Sequence, residues 1–186
     1  MTDYSKLLRP DNGQDAHPIH LVSTDGFDDW AQTRSAPQRA AMQAQKFKGE
    51  GYSFAILPGE GEHWSVVAGV ANPEELSSWC LAKLAESLPA GTYKLAEGNP
   101  GPAIFGWMMG QYKFDRYLSK EPEGARVLLT DQPAKIEEAV MLAEATALVR
   151  TLVNTPPLDC GPPALESEAE RIAGEHGGTV EVTRGD

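Results

Sequence analysis

The sequence predicts an α/β fold. An N-terminal domain with a mixed β-sheet flanked by helices leads into a long connecting helix, and a second α/β unit then begins and is cut short. Three observations carry this reading. From residue 19 onward, short runs rich in β-branched and aromatic residues alternate with segments of helical periodicity. Two of those runs, 52–57 and 63–70, are separated by Pro58-Gly59-Glu60-Gly61, which reads as a hairpin and supplies an antiparallel pair. The stretch 150–165, RTLVNTPPLDCGPPAL, joins two helical patterns through doubled prolines shortly before Asp186.

The elements follow in order. Residues 1–17 read as a polar arm containing Pro10, Asn12 and Gly13, either disordered or docked as an extended strap. Residues 19–23 form a short apolar strand. Thr24 and Asp25 are placed to cap a turn of helix carrying Phe27 and Trp30. Pro37 near a helix start leads into 38–47, closed by Gly49. After the hairpin, Asn72-Pro73-Glu74-Glu75 reads as a helix start, with Asn72 as cap and the two glutamates complementing the dipole. Leu76, Trp79, Cys80, Lys83, Leu84 and Leu88 then keep helical spacing up to Pro89-Ala90-Gly91. Residues 92–96 are a strand. Pro102 opens a helix extending to Tyr117, in which Gly106 and Gly110 lie on one face and let a neighbouring backbone approach closely. Residues 126–130 are a buried strand.

Pro133 starts a long helix ending near Val153. Ile136, Val140, Ala143 and Ala147 lie on one side of it, and Ala139, Leu142, Val149 and Val153 on another. An apolar surface that broad predicts burial on two sides, between two layers or domains. Residues 164–176 form an amphipathic helix closed by Gly177-Gly178, and 179–183 a strand. One helix and one strand cannot bury both faces, so the residues after about 160 read as the start of another domain.

Composition narrows the function classes. The formal net charge is −11, and the sixteen basic residues are scattered, with Lys46 and Lys48 the nearest pair. Nucleic-acid binding, which needs clustered Lys and Arg, is disfavoured. Cys80 and Cys160 have neither metal-ligand spacing nor a disulfide framework. The first fourteen residues lack an apolar signal core, and the longest apolar run, 103–109, is far below membrane-spanning length. The expected compartment is the cytoplasm, with no membrane partner.

A search for chemistry returns no site. No Walker loop or dinucleotide fingerprint is present. Gly98-Asn-Pro-Gly and Gly59-Glu-Gly read as turns. Glu166 and Glu170 share a helix face but His176 lies off it, so a solvated acidic face fits better than a metal site. Asp25, Asp28 and Asp29 suit helix N-terminal electrostatics better than an acid pair. His17, His20 and His63 are dispersed, and no serine sits in a nucleophile elbow.

The junction supplies a resemblance. Arg150-Thr-Leu-Val-Asn154-Thr-Pro156, then Asp159, Gly161-Pro162 and Leu165, resembles the domain junction of the leucyl (cytosol) aminopeptidase family, which are di-metal exopeptidases. The segment 106–117, with its Gly110-Gln-Tyr112-Lys-Phe114 core, is similar to a helix of that family's N-terminal domain. Residues 180–186 are similar to the strand after the junction. Pro157 and Leu158 stand where small or polar residues are more usual, and Thr151 where an acidic one is common. Physically, Pro156 and Pro157 stop the helix, Arg150 suits its C-terminal dipole, Asn154 can hydrogen-bond locally, and Pro162 and Pro163 preset the next helix.

The resemblance implies a two-domain metallopeptidase, divided here as arm 1–17, N-terminal α/β domain 18–132, connecting helix 133–155, and junction with the start of an incomplete catalytic domain 156–186. It implies two divalent metal ions (manganese, zinc or magnesium) that activate a water for attack on the first peptide bond of a substrate with a free N-terminus. It also implies a homohexamer. The family's metal motifs, such as Asn-Thr-Asp-Ala-Glu-Gly-Arg, do not occur in this sequence, so no residue is assigned a catalytic, cofactor-binding or metal-binding role. The expectation is a portion without activity of its own that serves substrate access, positioning or assembly. A stand-alone interaction module and a small ligand-binding domain are the rival readings.

Overall fold

The computed structural model describes residues 2–118 and 124–185. The chain divides into two compact units, Met1–Ala145 and Thr146–Asp186.

The first unit is built on a six-stranded sheet. Its strands are β1 (Leu8–Pro10), β2 (His17–Val22), β3 (Phe54–Pro58), β4 (Trp64–Gly69), β5 (Gly91–Leu95) and β6 (Arg126–Thr130), in the spatial order β1-β6-β5-β2-β4-β3. All neighbours are parallel except β3 and β4, the hairpin predicted from Pro58-Gly59-Glu60-Gly61, in register Ile56 to Val66. The mixed α/β class expected from the sequence is the one found. Val66 and Val67 are adjacent on β4, so they point to opposite faces, and both are fully buried. Helices therefore cover both faces of the sheet at this strand.

On one face, α1 (Phe27–Gln32) and α2 (Ala36–Ala44) cover β2, β3 and β4. Their core joins Val22, Met42, Phe47, Ala55, Leu57 and Val67, with Phe27, Trp30, Ala31 and Ala41 packed against it. Helix α2 starts in a capping box: the Ser35 hydroxyl accepts from Gln38 N at 3.4 Å, and the Gln38 amide accepts from Ser35 N at 3.3 Å. The other layer holds α3 (Ala82–Ser87) and α4 (Ala103–Met109). It contributes the fully buried Leu84, Trp107 and Met108, with Trp107 set 5.5 Å from the Tyr93 ring of β5.

Several elements differ from their expected form. In the segment 1–17, read as a polar arm, the described residues hold a 3-10 turn at Tyr4–Lys6 and the edge strand β1, paired with β6. Tyr4, Leu7 and Leu8 are buried, so a few apolar residues anchor a mostly polar segment. Thr24 and Asp25 do not cap α1. Its N-cap is Gly26, whose N–H donates to Ser23 Oγ at 3.1 Å, while Thr24 donates to Gly49 O at 3.2 Å. The helix expected from Asn72 begins only at Ala82. Asn72 Oδ1 instead accepts from Glu74 N, and the Ser77 N–H and hydroxyl engage Cys80 Sγ, so short polar side chains draw the backbone into turns.

Helix α4 ends at Met109, well short of Tyr117, with Gly110 as its C-cap. Its glycines do what their spacing predicts. A Cβ on Gly106 would lie 2.3 Å from Ser78 O, and one on Gly110 would lie 2.2 Å from Ala82 O. The backbone of residues 78–82 approaches both closely.

The free edge of the sheet at β3 is blocked by a side chain. Gln45, just after α2, donates to Ile56 O at 2.8 Å and accepts from Ile56 N at 3.0 Å, as a further strand would. Replacing Gln45 with alanine is expected to lower stability by about 1–2 kcal/mol and to produce concentration-dependent self-association through the uncovered edge. Denaturant unfolding and sedimentation check this; a variant as stable and as monomeric as the parent would refute the blocking role.

Helix α5 (Ile136–Asn154) follows a 3-10 turn at Pro133–Lys135. The two sides expected to be buried differ, and on the first Ile136 and Val140 are only half-buried. Ala143 and Ala147 are buried, whereas Leu142, Val149 and Val153 are 53%, 59% and 78% exposed.

In the second unit the helix is closed at Thr155, whose hydroxyl donates to Thr151 O at 2.7 Å. Pro156 O then accepts from Asp159 N and Cys160 N, turning the chain into α6 (Pro162–His176). Helix α6 ends as predicted: Gly177 takes the left-handed conformation at φ 69°, and Gly178 N donates to Ala173 O at 2.7 Å. The strand expected at 179–183 is not formed. Those residues have no neighbouring strand among the described residues, and a strand exists only through its ladder partners. Asp186, the last residue of the resembling segment, lies outside the described residues.

Candidate functional site

In parallel α/β sheets, ligands gather at the carboxyl ends of strands where successive connections leave on opposite faces. Here that point lies between β2, followed by α1, and β5, followed by α4. The loop after β5 turns through Gly98 and Gly101, both at positive φ. Asn99 organises it: its Oδ1 accepts from Gly101 N at 2.7 Å, and its amide donates to Asp131 after β6. Gly98-Asn-Pro-Gly is thus a hydrogen-bonded turn, as the sequence suggests. Its charged neighbours, Glu97 and Asp131, make it a poor anion cradle.

The histidines take separate structural places. His17 stacks on Trp64 at 3.8 Å, with Nδ1 3.3 Å from Trp64 O, and lies 5.5 Å from the Tyr93 ring. His20 lies 5.5 Å from Trp30, on whose ring the Arg34 guanidinium rests at 4.6 Å. Burial pushes the His20 pKa down, the Arg34 charge adds to this, and Glu97 opposes it. Burial and the Arg34 charge both favour the neutral form of the His20 imidazole. His63 serves the hairpin turn, its carbonyl accepting from Gly59 N at 2.9 Å. Burial also pushes the Tyr93 phenol up to about 12, and its hydroxyl donates to Pro89 O at 2.6 Å. A phenol held this way is a packing group with a satisfied donor.

The carboxylates behave similarly. Asp28 and Asp29 lie in the first turn of α1, where the dipole favours them, and Asp25 precedes its N-cap. Glu166 is engaged by Arg184 at 3.1 Å, and Arg171 pairs with Glu168 and Glu175 along α6. His176 stands in the last turn. Among the described residues no group of three or more His, Cys, Asp or Glu side chains could hold a metal ion. The two divalent ions implied by the resemblance find no fitting set of ligands among the described residues.

A concavity lies elsewhere among the described residues. It is a groove of about 520 Å³ beside α1 and α2, with Phe27, Met42 and Phe47 among its apolar lining and Arg39, Lys46 and Lys48 around it. Reading the sequence did not find it. The available signal was the Lys46/Lys48 pair flanking Phe47, an apolar residue between two cations at the end of a helix.

The architecture defines a layered α/β domain with one antiparallel edge strand and helices on both sides of the sheet. The M17 aminopeptidase N-terminal domain matches residues 17–130, and the chain belongs to this aminopeptidase family. It is 30% identical over 161 residues to a probable cytosol aminopeptidase of Leifsonia xyli subsp. xyli, covering 77% of this chain and 32% of that protein. It is 35% identical over 114 residues to a probable cytosol aminopeptidase of Streptomyces coelicolor, covering 47% and 22%. Among solved structures, the cytosol aminopeptidase of Coxiella burnetii superposes with a TM-score of 0.74 at 25% identity, over 90% of this chain and 37% of that one. The bottromycin maturation enzyme BotP, solved in complex with Mn, shares the fold with a TM-score of 0.65 at 21% identity. The chain thus spans about a fifth to a third of the length of the sequence relatives it matches. No helix among the described residues is long and apolar enough to cross a membrane.

Proposed function

We propose that this chain is the N-terminal portion of a leucyl aminopeptidase-like metallopeptidase that removes N-terminal residues from peptides by two-metal hydrolysis. In this reading the metal ligands and catalytic groups lie in sequence beyond these residues, and this portion serves substrate access, positioning or assembly in a cytoplasmic homohexamer. The observation that carries it is the match of 17–130 to the N-terminal domain of the M17 family. The names of the relatives, all cytosol aminopeptidases, support the substrate class and compartment. The manganese bound by BotP supports a divalent metal. The exposed Leu142, Val149 and Val153 on α5 support a further layer packing there, as expected where a connecting helix lies between domains.

The test is an assay of leucine anilide hydrolysis with added manganese. The purified 186-residue chain is expected to show no turnover above the blank. The product of the reading frame continued beyond codon 186 is expected to be active and to lose activity with a chelator. Hydrolysis by the 186-residue chain itself would overturn the placement of the site. A natural stop codon after residue 186 would support a stand-alone interaction module instead.

A further inference from the structure

We propose that the groove beside α1 and α2 is a binding site for a small amphipathic carboxylate, with its apolar body against Phe27, Met42 and Phe47 and its carboxylate between Lys46 and Lys48. This proposal is independent of the peptidase reading.

Size and lining fit such a ligand. A concavity of about 520 Å³ falls in the range of small-molecule sites, which are mostly apolar with a few placed polar groups. Phe27 and Ala31 are half-buried and give the groove its accessible apolar surface, and the Phe27 ring meets the buried Phe47 ring edge to face at 5.4 Å.

Charge selects the anion. The chain carries 27 acidic and 16 basic residues, yet the groove is lined by three cations, Arg39, Lys46 and Lys48, against one carboxylate, Glu50. Among the described residues, no ion pair engages Lys46 or Lys48. Two exposed ammonium groups beside an apolar floor are complementary to a ligand with one anionic end.

The backbone gives a third, independent reason. Helix α2 closes with Phe47 N donating to Met42 O and Lys46 N to Gln43 O, the paired bonds of a Schellman motif. Lys46 occupies its left-handed position at φ 56°, where glycine is usual because a side chain is strained there. Folding alone is served better by glycine at residue 46. The lysine at this position is one of the residues that line the groove.

That strain makes a discriminating test possible, because Lys46→Gly removes the charge and relieves the backbone together. Octanoate and octanol are titrated calorimetrically into the 186-residue chain, with amide chemical-shift mapping to locate them. Octanoate is expected to bind saturably at one site, shifting Ala31, Met42 and Phe47. The Lys46→Gly/Lys48→Gln variant is expected to bind octanoate about tenfold more weakly, with weak octanol binding unchanged. Lys46→Gly alone is expected to keep or raise the Tm, so lost affinity is not lost folding. Equal affinity for octanoate and octanol, an unaffected double variant, or shifts mapping elsewhere would overturn the proposal. So would an acidic apolar peptide that binds the groove when octanoate does not.

Discussion

Replacing Gly69 with alanine is expected to destabilise the first unit by about 3 kcal/mol, the upper part of the usual overpacking range. Gly69 ends β4 directly beneath the turn that follows α2. A Cβ there would lie 1.9 Å from Glu50 O and 2.6 Å from Glu50 C. Those atoms are backbone, and the turn cannot swing away. Gly69 N donates to Ser53 O at 2.9 Å, Tyr52 N donates to Gly69 O at 3.2 Å, and Gly49 sits at φ 77°. The same turn carries Lys48 and Glu50 at the groove. Denaturant unfolding should show a lower midpoint with an unchanged slope, and any octanoate binding should weaken with it. An alanine variant within about 0.5 kcal/mol of the parent, the ordinary surface range, would mean that the turn yields easily and that the close approach is not structural.

Trp107→Ala is expected to cost about 3–5 kcal/mol, the range for deleting a large buried aromatic. Trp107 is fully buried on α4, and its Nε1 donates to Arg126 O at 2.9 Å. It lies against Tyr93, so the variant opens a cavity between the helix layer and β5. Arg126 O also accepts from Gln111 Nε2 at 2.9 Å, so it keeps a partner in the variant, and most of the loss is packing. Trp107→Phe separates the two contributions: losing only the hydrogen bond and part of the ring should cost about 1–2 kcal/mol. Equilibrium unfolding of both variants measures the split. If phenylalanine costs as much as alanine, the hydrogen bond rather than the packing holds this layer.

Much of the architecture was legible because its signals are local. The hairpin at Pro58-Gly59-Glu60-Gly61, strand 126–130, the long helix after Pro133, and the end of α6 at Gly177-Gly178 each follow from turn chemistry or periodicity within a few residues. The Gly106/Gly110 pair was legible in part: the spacing announced a close backbone approach, but not that residues 78–82 would make it. That approach is a contact between segments far apart in sequence. The failure of residues 179–183 to form a strand has the same origin, since a strand needs a partner that no local pattern supplies.

Residue-level function divides along the same line. The family was legible at the junction 150–165, because proline placement and side-chain order survive as linear text. The groove was not. Its lining comes from two helices and the turn after them, and the sequence shows Lys46 and Lys48 flanking Phe47 without showing which other side chains they join. By itself the sequence determined the α/β class, most element boundaries, the overall charge and the family resemblance, all properties of residue order and short-range hydrogen bonding. The tertiary structure decided which helices were shortened, which glycines are indispensable, how the β3 edge is blocked by Gln45, and which side chains line the groove beside α1 and α2. Each of these depends on atoms brought together across many residues, by packing that no local pattern specifies.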